Sequence, residues 1–103
     1  MTISVVSDTA EQGAARSVAV DKPVVVVCVG DVLGWQADPA TIAGWEIEWD
    51  GESPLARGVS PAGDEQGRGE GQAATIGIFK YTVRVTTADG VQLELDPDAV
   101  IMP

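Results

Sequence analysis

The chain contains no histidine and a single cysteine, Cys28, among its 103 residues. Without histidine there is no Ser-His or Cys-His pair for nucleophilic catalysis. The neighbours of Cys28 are valines rather than a cation or a base, so the sequence does not indicate a reactive thiol. We therefore expect Cys28 to be a small buried apolar residue. These absences predict a protein that is not an enzyme and has no catalytic residues.

Basic residues are also scarce, with 6 Lys and Arg against 16 Asp and Glu and a formal net charge of −10. A domain this negative repels phosphate backbones and anionic lipid surfaces, so we expect neither nucleic acid nor a membrane as partner. One cysteine cannot form an internal disulfide. The N-terminus lacks the basic and apolar regions of a secretory signal. We expect a cytoplasmic protein.

Apolar residues, by contrast, make up 45% of the chain, enough for one hydrophobic core in a domain of this length. They alternate with polar residues in Trp45–Trp49, Phe79–Thr86 and Val91–Leu95. This period of two is typical of half-buried strands, and Asp89-Gly90 predicts a hairpin between the last two. We predict one all-β domain over residues 1–103, a small two-sheet β-sandwich.

Residues 57–72 break the strand pattern with five glycines, one proline and mixed charges. This composition predicts a mobile, acidic surface loop within the domain. The glycines lack the spacing and the following lysine of a phosphate-binding loop. We expect no nucleotide there and no cofactor elsewhere.

Two short motifs resemble the cupredoxin-like β-sandwich family. Gly30-Asp31-Val32-Leu33-Gly34-Trp35 resembles its Gly-Asp-x-Val-x-Trp turn and strand, and Gly77-Ile78-Phe79-Lys80-Tyr81-Thr82-Val83 its Gly-x-Tyr-x-Tyr-x-Cys strand. The resemblance implies a cupredoxin-like sandwich close to copper-free bacterial members of unknown function; an immunoglobulin-like sandwich is the alternative. Type 1 copper needs two imidazoles and a thiolate. Val83 stands where the copper cysteine would be, so we expect no metal site.

Acidic and aromatic side chains offer an alternative function as a calcium- or carbohydrate-binding domain. The acidic candidates are Glu46, Glu48, Asp50, Glu52, Asp96 and Asp98, and the aromatic candidates are Trp35, Trp45 and Trp49. No calcium-loop spacing is present, which favours a solvated acidic face. Placing Trp45 and Trp49 outward would bury Glu46 and Glu48, so we expect the tryptophans in the core.

The run Val24–Val29 is apolar on both faces and predicts an interior strand. Its outward side chains need a cover, and residues 57–72 have few large apolar groups to supply one. The candidate interface residues are therefore Val24, Val25, Val26 and Val27, of which one alternate pair should face outward. We predict a binding or assembly module that contacts a protein partner or a second copy in a homodimer.

Overall fold

The computed structural model describes residues 1–10 and 13–103. These residues form nine strands and one turn of 3-10 helix at Ala56–Gly58. The strands are β1 (Thr2–Ala10), β2 (Gly13–Val20), β3 (Val24–Cys28), β4 (Val32–Ala37), β5 (Ile42–Trp49), β6 (Arg68–Gln72), β7 (Gly77–Thr87), β8 (Gln92–Leu95) and β9 (Asp98–Met102). No helix in the described ranges is long and apolar enough to span a membrane.

The strands form two mixed sheets. One has the order β2-β1-β4-β6; the other has the order β3-β9-β7-β5, with β8 also paired to β7. Within the second sheet β3 runs parallel to β9, while β7 is antiparallel to β5, β8 and β9. The two sheets pack around a shared core, which confirms the predicted all-β, two-sheet sandwich.

The predicted facing of the alternating strands is confirmed. Trp45, Ile47 and Trp49 are buried in β5, whereas Glu46 and Glu48 are exposed. Tyr81, Val83 and Val85 of β7 are buried on the same side of the sheet. Asp89-Gly90 connects β7 to β8 as the predicted hairpin, with Gly90 at φ +88°.

Aromatic rings join the two sheets. Trp35 of β4 lies with its ring centre 6.4 Å from that of Trp45, 6.3 Å from that of Trp49 and 5.6 Å from that of Tyr81. The Trp35 Nε1–H donates to the Tyr81 hydroxyl over 3.3 Å in the interior. Burial raises the pKa of Tyr81 above its ordinary value. This cluster is the centre of the core.

An ion pair also links the sheets at the surface. Arg16 of β2 donates from Nη1 to both carboxylate oxygens of Asp89, each at 2.9 Å, on the turn after β7. The Thr87 hydroxyl donates to the same carboxylate. Arg16 first, and Thr87 second, hold the pKa of Asp89 below its ordinary value.

The predicted loop over 57–72 is wrong at its end, because Arg68–Gln72 forms β6, paired antiparallel to β4. The glycines there permit close packing. A Cβ on Gly69 would collide with the Ala62 carbonyl oxygen and approach Trp45 Cη2 to 2.9 Å. A Cβ on Gly71 would lie 2.7 Å from Leu55 Cδ1. The glycines here lie in a strand to which another segment of the chain packs closely. From composition alone, the same glycines indicate a loop.

The prediction that Val24–Val29 is an interior strand is also wrong. β3 pairs with β9 on one side and ends the sheet order on the other. Its outward valines, Val24 and Val26, are 55% and 58% exposed in the described part of the chain.

Candidate functional site

The candidate interface residues divide between the two faces of β3. Val25 is 7% exposed and Val27 is half-buried, and both pack against the core. Val24 and Val26 are 55% and 58% exposed on the opposite face. The alternation of a strand predicts this division, and the structure identifies Val24 and Val26 as the outward pair.

Neighbouring strands extend this apolar surface. Val26 of β3 lies beside Val100 of β9, and Val100 lies beside Ile78 of β7. Ile78 is 77% exposed and Met102 is 49% exposed. We call the surface formed by Val24, Val26, Ile78, Val100 and Met102 the outer apolar face. Contiguous apolar surface of this kind is typical of a protein contact site.

Charged residues border the outer apolar face on one side. Val24 lies beside Asp98 of β9, which lies beside Lys80 of β7. The Lys80 ammonium is 4.0 Å from the Asp98 carboxylate. An apolar centre with a polar rim is the arrangement found in protein interfaces.

The open edge of β3 carries unpaired backbone groups beside this face. Asp98 N donates to Pro23 O, and Val29 N donates to Met102 O. Since bonded residues alternate in a parallel ladder, Val25 and Val27 also point their backbone groups at β9. The N–H and C=O of Val24 and Val26 therefore point to the open side, where no partner lies within the described chain.

Cys28 continues the outward row and is exposed, so the prediction that it is buried is wrong. It is the last residue of β3 and lies on the same face as Val24 and Val26. Its N–H donates to Asp31 Oδ2 over 2.8 Å, and its carbonyl accepts from Asp31 N over 3.0 Å. The turn thus closes the open edge at Cys28 and leaves the edge free at Val24 and Val26.

The acidic candidates on β5 lie around a single arginine. Arg84 of β7 forms ion pairs with Glu48, with Glu46 at 4.0 Å, and with Glu94 of β8 at 3.0 Å. These carboxylates raise the pKa of the guanidinium, chiefly through the hydrogen bonds that Arg84 donates to Glu94 and Glu48. Among the described residues no three Asp, Glu, His or Cys side chains are grouped to hold a metal ion. These side chains form an exposed charge network.

The tryptophans form no sugar-binding platform on the surface. Trp35, Trp45 and Trp49 are 2%, 4% and 6% exposed. Trp45 Nε1 donates to Gly67 O over 3.0 Å, so its polar atom is satisfied inside the protein. Stacking a sugar requires an accessible ring face, which none of the three offers.

The residues that resemble cupredoxins lie in the turn before β4 and in β7. Val83, where the resemblance would place the copper cysteine, is fully buried among apolar side chains. Sequence analysis did not identify Ile78 as part of the outer apolar face. The signal was available, because Ile78 directly precedes Phe79, whose side chain was expected to face the core, and so lies on the opposite face of the strand. Comparison of the chain with family models, curated proteins and solved structures finds no match in any of the three.

Proposed function

We propose that this chain is a non-enzymatic assembly module that binds another protein through the outer apolar face. The observation that carries the proposal is the row Val26, Val100, Ile78 across three adjacent strands, with Val26 and Ile78 more than half exposed. Fully burying a valine or isoleucine side chain contributes about 1.5–3 kcal/mol, and part of that remains available here. A partner with a matching apolar surface would gain it.

The absence of histidine supports a role other than catalysis. The exposed thiol of Cys28 has no base beside it in the sequence and is not offered as a nucleophile. A copper-free, cupredoxin-like ancestry is part of the same proposal, supported by the motifs in β4 and β7. A cytoplasmic location is also part of it, supported by the single cysteine.

Photo-crosslinking tests the outer apolar face directly. A benzophenone amino acid is placed at Ile78, and as a matched control at Val6, a valine 46% exposed on β1 of the other sheet. In cells of the native host, Ile78 should capture one defined protein, identified by mass spectrometry, that Val6 does not capture. The captured protein is then purified for a binding measurement.

In that measurement, Ile78→Lys should weaken binding by about tenfold or more, which corresponds to about 1.4 kcal/mol. Val6→Lys should leave binding within about twofold, since most surface substitutions away from a contact are nearly neutral. Equal effects of the two lysines, or capture of the same protein from both positions, would reject the outer apolar face as the contact site.

A further inference from the structure

We propose that a second copy of this chain joins the first by antiparallel pairing of the two β3 edges across a two-fold axis, with Val24 opposite Val26 of the second copy. This inference goes beyond the proposed function, because the pairing uses the open edge of β3 and leaves Ile78, two strands from that edge, free to contact another protein. It follows from the backbone of the edge, from the outward side chains and from the charges at the two ends of β3.

The backbone groups select the register. Val24 and Val26 each present one N–H and one C=O to the open side, whereas those of Cys28 are bonded to Asp31. When Val24 of each copy lies opposite Val26 of the other, all of these free groups form hydrogen bonds, because both pairs are then hydrogen-bonded pairs of an antiparallel ladder. Centring the pair on Val26 instead would oppose Val24 to Cys28 and require the Asp31 turn to open.

The same register continues the outer apolar face from one copy to the other. Val26 of one copy, which ends the row Ile78, Val100, Val26, lies beside Val24 of the other copy. The two-fold axis places the same row of the second copy beside Val24 of the first. The outward side chains of paired antiparallel residues lie about 5 Å apart. Each exposed valine of β3 thereby gains an apolar neighbour on its open side, while the outer apolar face itself stays uncovered.

Charges at the ends of β3 suit an antiparallel pair. Lys22, which is exposed, precedes the strand, and Asp31 follows it. Antiparallel pairing brings the end with Lys22 toward the end with Asp31 of the second copy. The Asp21 carboxylate, which accepts from Thr2 N over 2.8 Å, keeps its charge and offsets part of this attraction. The edge is therefore complementary to itself chiefly in hydrogen bonding.

The opposite edge of the same sheet is blocked, so the pairing closes as a dimer on this sheet. Along β5, Ile47 N donates to Pro61 O and Gly63 N donates to Trp45 O, each over 2.9 Å. Residues 61–63 thus occupy the side of β5 that a further strand would need. β3 has no such cover and has no charged residue between Val24 and Cys28, the usual protection of a free edge.

Disulfide trapping tests the register, in a Cys28→Ser background that removes the exposed native thiol. Val25 faces Val25 of the second copy at a non-hydrogen-bonded site, with Cα atoms about 4.5 Å apart, within the range of a disulfide. The two Val26 residues are offset by two positions along the strands, about 8 Å apart and beyond that range. Val25→Cys should form covalent dimers in glutathione buffer, and Val26→Cys should not. Trapping through Val26→Cys but not Val25→Cys would overturn the register.

Sedimentation of the wild-type chain at different salt concentrations tests whether two copies associate. Two copies of net charge −10 repel each other. The Debye length falls from about 30 Å to about 3 Å between about 0.01 M and about 1 M NaCl, so the dimer fraction should rise with salt. A chain that stays monomeric at every salt and protein concentration, with no Val25→Cys trapping, overturns the second copy as partner. The proposed function fails separately, if Ile78→Lys does not weaken binding of the captured protein.

Discussion

Replacing Trp45 by alanine tests whether the β5 face has been assigned correctly. Its indole packs 6.4 Å from Trp35, is 4% exposed, and donates from Nε1 to Gly67 O. Emptying a large aromatic core site costs about 3–5 kcal/mol. The lost hydrogen bond adds about 1 kcal/mol. We expect Trp45→Ala to lower the free energy of unfolding by about 4–6 kcal/mol.

This loss approaches the whole stability of a small domain, about 5–15 kcal/mol, so a milder variant is needed. Trp45→Phe keeps an aromatic ring but removes the donor to Gly67, and should cost about 1–3 kcal/mol. Glu46→Gln is the matched control on the adjacent residue, because Glu46 is exposed and its contact with Arg84 is long, at 4.0 Å. It should change stability by less than about 0.5 kcal/mol.

Urea unfolding followed by far-ultraviolet circular dichroism measures these changes, since that signal does not depend on the tryptophan that is removed. The midpoint should fall for both Trp45 variants while the slope stays unchanged, as expected for a change in stability alone. Losses of similar size for Glu46→Gln and Trp45→Phe would show that the two faces of β5 have been assigned incorrectly.

Three further predictions follow from the core, the surface ion pair and the composition. Tyr81→Phe removes the acceptor of the Trp35 indole N–H and should cost about 1–3 kcal/mol in urea, since a buried donor is left unpaired; a neutral result would contradict that hydrogen bond. Arg16→Gln should raise the pKa of Asp89 toward its ordinary value in a carboxyl NMR titration. Because the folded-state pKa is lowered, the stabilisation by this ion pair is present above the unfolded-state pKa and is lost as pH falls through the folded-state pKa. An Asp89 pKa that is unchanged in the Arg16→Gln titration would reject the pairing. Addition of Cu(II) should produce no intense thiolate-to-copper absorption, since the chain has no histidine; a strong blue colour would contradict this.

The core was predictable because its signals are local. Alternation over Trp45–Trp49 and Phe79–Thr86 places one set of side chains inward, and burying Glu46 and Glu48 would have been too costly to permit the other choice. The hairpin at Asp89-Gly90 was equally local, because its turn requires a residue that tolerates positive φ. These features depend on neighbours in sequence, and the structure confirms them.

The position of β3 was not predictable from its own residues. A run of valines fits an interior strand and an uncovered edge strand equally well, and the difference depends on its pairing with β9 about seventy residues later in the chain. The same long-range pairing sets Ile78 and Val100 beside Val26. Cys28 was misplaced for a related reason, because its exposure follows from its position on the outward face of β3 rather than from its valine neighbours.

The misassigned segment 57–72 shows a limit of composition. Gly67, Gly69 and Gly71 were interpreted as signs of a loop, but each lies where the backbone or a side chain of another segment approaches closely. A side chain at any of the three positions would collide with that segment. Glycine content alone does not distinguish a flexible segment from a tightly packed one.

The most direct test of the outer apolar face is sedimentation velocity on two double variants of β3. Val24→Lys with Val26→Lys should stay folded, since both side chains are outward, and should remain monomeric at concentrations where the wild type associates. Val25→Lys with Val27→Lys should unfold, because both pack against the core. If the first variant also unfolds and the wild type is monomeric at every concentration, Val24 and Val26 are required by the fold of the chain itself and are not contact residues.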